Sequence, residues 1–317
     1  MSIGTEQTLT GPERRLADFS RRPQRGVLLA IIVVAGIGWI YMAAMIYGML
    51  PEMDMGELGP GMGVFNVFNE FGKLDEIGRT LLAAICRPET MEGHFGMPGA
   101  GPWGIVDLAL VFVMWVMMAL AMMLPTAAPM VATYAEVAAE HRARGEKVAS
   151  PIWVAAGYLS VWILFGFVAT LAQWGLVTLK AMSPVVMTPA NLVFASTTLV
   201  AAGIYQFTPA KYACLAHCQA PLPYFKARWA DTFVGVFKLG IEQGTFCVGC
   251  CAALMGVMFA VGVMNVLWIA VLAMIMGIEK LVPSFALTRS IGIGLIGWGL
   301  LLFFASDGGQ ALLGRLF

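Results

Sequence analysis

The sequence predicts an all-α fold, a polytopic transmembrane helix bundle, and three observations carry that expectation. First, 59% of the 317 residues are hydrophobic and 12% are charged, against roughly 25% charged in a soluble domain. The mean hydropathy is +0.80. Second, apolar runs long enough to span a bilayer recur along the chain. Third, these runs are too long and too irregularly broken for a porin-type barrel, so they read as helices. We expect about seven spans, or six if the longest apolar run is one tilted helix, plus amphipathic helices at the membrane interface. The net charge is zero, which argues against a nucleic-acid partner.

Residues 1–25 read as a disordered cytoplasmic tail and 26–317 as a single transmembrane domain. Arg14, Arg15, Arg21, Arg22 and Arg25 precede the first span, from about Val27 to Leu50. That excess of arginine predicts a cytoplasmic N-terminus and a bacterial inner-membrane location. The first apolar run is long enough to span, and no small-residue cleavage pattern follows it. It therefore reads as a span, not a signal peptide.

Residues 51–102 read as an external, acidic loop. Phe68, Phe71, Leu74, Leu81 and Ile85 suggest an amphipathic helix on the membrane surface there. The loop also carries Met53, Met55, Met91, His94 and Met97. Thioethers and imidazole are the donors that suit Cu(I) outside a reducing compartment. The plainer explanation is composition, since 22 methionines are spread along the chain.

The second span is expected from Ile105 to Pro125. Met114, Met118 and Met122 form an i, i+4 ladder on one of its faces, although flexible side chains also pack helices. Pro125 and Pro129 are expected to kink or end this helix, leaving a short charged loop over Glu136–Lys147. A third span should run from Pro151 to Thr178 and a fourth from Leu192 to Phe207. Residues 208–243 read as a cytoplasmic interfacial segment, because Tyr224, Phe225, Trp229, Phe233 and Phe237 alternate with Lys226, Arg228, Asp231 and Lys238.

The apolar run Thr245–Ile278 would reach roughly 50 Å as one helix, more than the hydrocarbon core of roughly 30 Å. It should break at Gly262-Val-Met-Asn265 into two short spans. Glu279 and Lys280 then return the chain to the cytoplasm, and a last span covers Ile291–Ala305. Gly292, Gly294 and Gly297 match a dinucleotide fingerprint by letters alone. With no strand before them, close helix packing is the better reading.

The chemical signal is sulfur. Five of six cysteines fall in two short segments. Cys247, Cys250 and Cys251 share one helical face, and Cys214 and Cys218, with His217 between them, stand at i, i+4 spacing. The expected topology brings both groups to one level in a reducing compartment, where disulfides are disfavoured and thiolate or Cys/His metal coordination is natural. Cysteines also serve as apolar packers. Cu(I) is the favoured ion, with zinc or an iron–sulfur group as alternatives.

These residues sit in longer motifs. They are Ala121-Met-Met-Leu-Pro-Thr-Ala-Ala-Pro-Met130, Gly157-Tyr-Leu-Ser-Val-Trp162, Gly203-Ile-Tyr-Gln-Phe-Thr-Pro-Ala-Lys-Tyr-Ala-Cys-Leu-Ala-His-Cys218, Gly249-Cys-Cys251 and Met264-Asn-Val-Leu-Trp268, followed by Glu279-Lys280. Together, over about Trp103–Lys280, the chain resembles a prokaryotic family described as predicted metal-binding integral membrane proteins. The resemblance implies metal binding and leaves the activity open.

The functional expectation is an inner-membrane protein that handles Cu(I) by transport or delivery. Met53, Met55, Met91, His94 and Met97 would capture the ion and Met114, Met118 and Met122 would pass it inward. Cys214, Cys218, Cys247, Cys250 and Cys251 would receive it, with Cys214, Cys218, Cys247 and Cys251 expected as a single site and Cys250 and His217 as alternates. Its partners would be the lipid bilayer, the metal ion and a membrane or periplasmic protein. Two other readings remain: thiol–disulfide exchange through Cys247 and Cys250, and a non-catalytic subunit or assembly factor with a structural metal. No Ser/His/Asp set or phosphate-cradling loop points to an enzyme.

Overall fold

Long apolar stretches become long helices. The structure, a computed structural model, describes residues 23–51, 53–69 and 97–316. Helix α1 is Pro23–Met49, α2 Ile105–Ala143, α3 Ile152–Thr178, α4 Leu192–Tyr205, α5 Pro209–Gln219 and α6 Pro221–Ala227. Helix α7 is Phe233–Gly256, α8 Met258–Val261, α9 Val266–Leu281, α10 Phe285–Ala305 and α11 Asp307–Leu316. Two 3-10 helices, Met55–Leu58 and Met62–Phe68, lie between α1 and α2. The expected all-α class holds among the described residues. The surface helix expected over Phe68–Ile85 falls almost wholly outside them.

Among the described residues five helices are long and apolar enough to cross a membrane, and the pair α4–α5, bent by 65° at the break over 206–208, makes a sixth candidate. The described residues thus hold fewer than the seven spans expected. The run Thr245–Ile278 does break at the expected place, where Gly262 adopts φ +98°. Its second half, α9, is 16 residues, or roughly 24 Å at the helical rise, which is short of a hydrocarbon core of roughly 30 Å.

Its first half gains length on the other side. Helix α7 starts twelve residues before Thr245 because Phe233–Gln243, expected as an interfacial helix, joins it. The reason is a close crossing with α3. A Cβ on Gly157 would run into the carbonyl of Phe237, and one on Gly240 into the carbonyl of Val154. Backbone packs on backbone there, and the exposed aromatics Phe233 and Trp153 meet beside it with their rings tilted by 47°.

Helix α2 also departs from expectation. It runs through Pro125 and Pro129 to Ala143, so the charged loop shrinks to 144–151. Pro125 has no N–H to give Ala121, and the Trp39 indole supplies a donor to that carbonyl from α1, at 3.1 Å. Gly145, at φ +80°, ends the helix, with its N–H on the Arg142 carbonyl.

The helices pack α1 on α2, α2 on α3, α3 on α7, and α4 on α10, with α5 and α9 lying across α7 and α2. Of the three glycines in the fingerprint-like run, Gly292 packs tightly on Gly203 and Gln206 of α4, whereas Gly294 and Gly297 face open space.

The 53–69 segment is pinned to the break after α8. A Cβ on Gly59 would strike the Val261 carbonyl, and one on Gly262 the Leu58 carbonyl. Asn265 donates to the Pro60 carbonyl at 3.0 Å. Within the segment, buried Asn66 accepts from the Met55 N–H at 2.9 Å and donates to Asp54 at 2.6 Å.

Candidate metal centre

The helical spacing of the cysteines places them as the fold requires. Cys247, Cys250 and Cys251 point from one face of α7 into the bundle, each at most 1% exposed. Because α7 begins at Phe233, Cys247 lies in the body of the helix and not at its start. Helix α5 crosses α7 and brings Cys218 to them. The ligand atoms of Cys218, Cys247 and Cys250 all lie within 4.8 Å of one another. Cys218 Sγ is 3.7 Å and Cys251 Sγ 3.3 Å from Cys250 Sγ. All of these are free thiols.

The other expected cysteine and histidine ligands are not in this group of three. Cys214, one turn earlier on α5, lies over Gly249, where an added Cβ would come 2.5 Å from its sulfur. His217 is exposed. Its Nδ1 is 2.9 Å from the Ala213 carbonyl and its ring stacks on Phe246. Met114, Met118 and Met122 are buried in the core, as are Met53, Met55 and Met97. Met91 and His94 lie outside the described residues.

Three other helices, α2, α3 and α9, furnish the surroundings of Cys247. Tyr158 from α3 places its hydroxyl 2.9 Å from the sulfur and 3.1 Å from the Met123 carbonyl. Lys280 from α9 donates to the sulfur at 3.1 Å and to the Thr126 hydroxyl of α2 at 2.6 Å. Beside the sulfurs of Cys218 and Cys247 is a cavity of about 20 Å³, roughly the room a single water needs. Met130 and Gln243 also line it. The Gln243 side-chain nitrogen has no partner among the described protein atoms.

A second buried charge pair backs the group. Lys211 of α5 meets Glu279 of α9 at 2.8 Å, both essentially without solvent exposure, and the same ammonium donates to the Cys250 carbonyl at 2.7 Å. The Gln219 amide donates to the Glu279 carbonyl at 2.7 Å. Glu279 and Lys280 therefore do not return the chain to water, as expected. They close the inner wall of the cysteine group. Sequence reasoning also passed over Tyr158, Thr126, Gln243 and Lys211 as site residues. The available signal was the presence of ionisable residues against long apolar runs, which in such proteins marks function.

The donor set is soft, buried and assembled from two helices, and one ion can reach three of its sulfurs. The family model of PpoB2, described as copper chaperone, matches residues 112–302. The chain belongs to that family. The matched region contains all of the cysteines above, together with Thr126, Tyr158, Lys211, Glu279 and Lys280; it leaves out α1 and the 53–69 segment. No curated protein and no solved structure matches the chain. Membership supports the metal-binding expectation and, among the ions considered, copper.

Proposed function

We propose that this protein is a membrane-embedded Cu(I) carrier. It holds one copper ion at Cys218, Cys247 and Cys250, with Cys251 in reserve, and delivers it to an acceptor protein. The observation that carries the reading is the convergence of three thiols from two helices within reach of one ion, in a chain of the copper chaperone family. Thiolates prefer Cu(I) among the abundant biological ions on grounds of softness. Sulfurs 3.3 and 3.7 Å apart favour a single ion over an iron–sulfur cluster. Delivery is preferred to transport because the family is described as a chaperone. Burial of Cys247 and Cys250 speaks against thiol–disulfide exchange, which needs a sulfur that a partner thiol can reach.

In this reading the five or six apolar spans lie in a bacterial inner membrane with the N-terminus and Lys226 in the cytoplasm and Glu57 outside, as the arginines before α1 require. Met114, Met118 and Met122 form an inward thioether route, and Met53, Met55 and Met97 stand at its outer end, with Met91 and His94 as further donors.

The decisive experiment measures copper per chain on detergent-purified full-length protein prepared under reducing conditions. Wild type should retain about one Cu(I) against a chromogenic chelator, whereas C218S, C247S and C250S should each lose it to a similar degree. Because the three act as one unit, a double variant should cost little more than a single one. C214S should keep its copper. Wild type without copper, or C247S/C250S with a full complement, would overturn the proposal. Orientation is read separately from a membrane-impermeant thiol reagent on intact cells. A cysteine placed at Glu57 should react and one at Lys226 should not; the reverse labelling would invert the topology.

A further inference from the structure

The short helix α6 lies beside the cavity of the cysteine group. Met130 of α2 and Gln243 of α7 line that cavity. One turn beyond Met130 stands Tyr134, and Phe225 of α6, without solvent exposure, meets its ring edge-on at 5.5 Å. Next to Gln243 stands Glu242. Its carboxylate accepts from the Tyr224 hydroxyl and, at 2.9 Å, from the Arg228 guanidinium. The Tyr224 ring also meets that of Phe246, the residue before Cys247, at 6.4 Å. The supports of α6 are thus chain neighbours of the cavity wall on two helices.

These attachments differ in kind. The Phe225 ring is an apolar plug. The polar attachments converge on one carboxylate near water, since the Arg228 side chain is 56% exposed and that of Glu242 23%. A pair so exposed holds weakly. The chain is also free to turn where α6 begins. Pro221 has no N–H to continue the ladder of α5, and Ala220 alone separates the two helices. Cys218 stands three residues before Pro221. It is half-buried, whereas Cys247 and Cys250 are at most 1% exposed. After α6, Trp229 fastens the chain by stacking on Tyr134 at 5.8 Å and on His141 at 3.8 Å.

We propose that α6 is the gate of the copper site, that Glu242 is its latch, and that the ion leaves past Cys218 when Tyr224 and Phe225 swing off α7 and α2. The inference rests on the delivery reading above and adds the door that delivery needs, because a buried ion reaches an acceptor protein only if a cover moves. Opening breaks two hydrogen bonds to one residue and frees one ring; the long helices stay as they are. Lys226 belongs to α6, so in the orientation proposed above the door opens to the cytoplasm. Glu242 does not touch the metal. It is a positioning residue that sets how often the gate opens.

The test uses purified full-length protein as wild type, E242A, E242Q and Y224F/R228Q, with R144Q as the control, since Arg144 pairs with exposed Glu146. The first measurement is made on metal-free, reduced protein: the rate at which a maleimide modifies Cys218, read by mass spectrometry of its peptide. Loss of the latch predicts a rate about three- to tenfold higher in E242A. Y224F/R228Q should match E242A, because both bonds end on the same carboxylate. E242Q keeps an amide oxygen for Tyr224 and should fall between, and R144Q should behave as wild type. Cys251, which does not line the cavity, should stay slow throughout. Equal Cys218 rates in wild type and E242A would overturn the proposal, and so would a parallel rise at Cys251, the mark of general loosening. The second measurement follows Cu(I) loading and Cu(I) loss to a bulky chromogenic chelator. A gate speeds both by the same factor in E242A and leaves copper per chain unchanged. Faster loss with a lower copper content would overturn the proposal in favour of a merely structural role. If wild type holds no Cu(I), the delivery reading fails, and the Cys218 rates still decide whether α6 opens.

Discussion

The Trp39 indole N–H of α1 donates to the Ala121 carbonyl of α2 at 3.1 Å, the acceptor that Pro125 leaves without its helical partner. Gly38, the preceding residue, lies so close to Met117 and Ala121 that a Cβ there would come 2.6 Å from the Met117 carbonyl. The two helices thus meet at the proline, and the hydrogen bond missing within one is made by the other. Trp39→Phe should cost about 1–3 kcal/mol, the range for a buried polar group left unsatisfied, and lower the thermal midpoint. Pro125→Ala restores the N–H within α2, so Trp39→Phe should cost little in that background. A cycle of melting curves on the four proteins measures this; equal losses from Trp39→Phe in both backgrounds would show that the indole only packs.

Gly249 sets how closely α5 approaches α7. Its carbonyl accepts from the Tyr205 hydroxyl at 2.6 Å, and its missing side chain leaves room for Cys214. Gly249→Ala should push α5 outwards and carry Cys218 away from Cys247 and Cys250. Overpacking of this kind costs about 1–3 kcal/mol. The expected result is a folded, less stable protein with lowered copper content, and Cys214→Ala should restore part of both in the double variant.

The Lys211–Glu279 pair predicts an asymmetry. Lys211→Met or Glu279→Gln alone strands a buried charge and should destabilise by about 3–5 kcal/mol. The double variant should recover most of that loss. Denaturation midpoints of the three variants decide it, and a double variant worse than either single would mean that the two groups serve separate partners.

The thioether route is tested by replacing Met114, Met118 and Met122 together with Leu. Volume and apolarity hardly change, and such swaps usually cost less than about 1.5 kcal/mol each. Expression should survive while copper uptake into the cysteine group slows in cells. Unaltered loading kinetics would remove the three methionines from the route and leave them as packing.

Much of this molecule was legible before its shape was known, for stated reasons. Apolar length gives spans, and the i, i+3 and i, i+4 spacings put cysteines on shared faces. The break at Gly262 followed from comparing one run with the thickness of a bilayer. The failures have physical causes too. The aromatic and charged alternation over Phe233–Gln243 mimics a surface helix, and only the glycine crossing with α3 draws it into the long helix α7. Pro125 reads as a helix end because the compensating donor, Trp39, lies 82 positions before the Ala121 carbonyl it serves. Cys214 and Cys218 are equivalent by spacing, and the approach angle at Gly249 distinguishes them. Tyr158 and Lys280 meet Cys247, and Thr126 meets Lys280, from three other helices, a convergence that no local pattern records. Glu279 and Lys280 look like a polar end to an apolar run, and their burial comes from Lys211 and the sulfurs waiting on the other side.

The contact between the 53–69 segment and the break after α8 has a consequence for how the chain is made. Asn265 lies 205 positions after Pro60, the residue whose carbonyl it holds. Leu58, Gly59 and Pro60 therefore leave the ribosome long before the socket that receives them exists. At roughly 5–20 residues per second the wait is about 10–40 s. A chain that stops before Gly262 never acquires the socket, however well its earlier helices insert. Docking of this segment thus reports that synthesis has passed the cysteine group, and a protease that samples uncovered loops can tell a chain with the complete group from one without it.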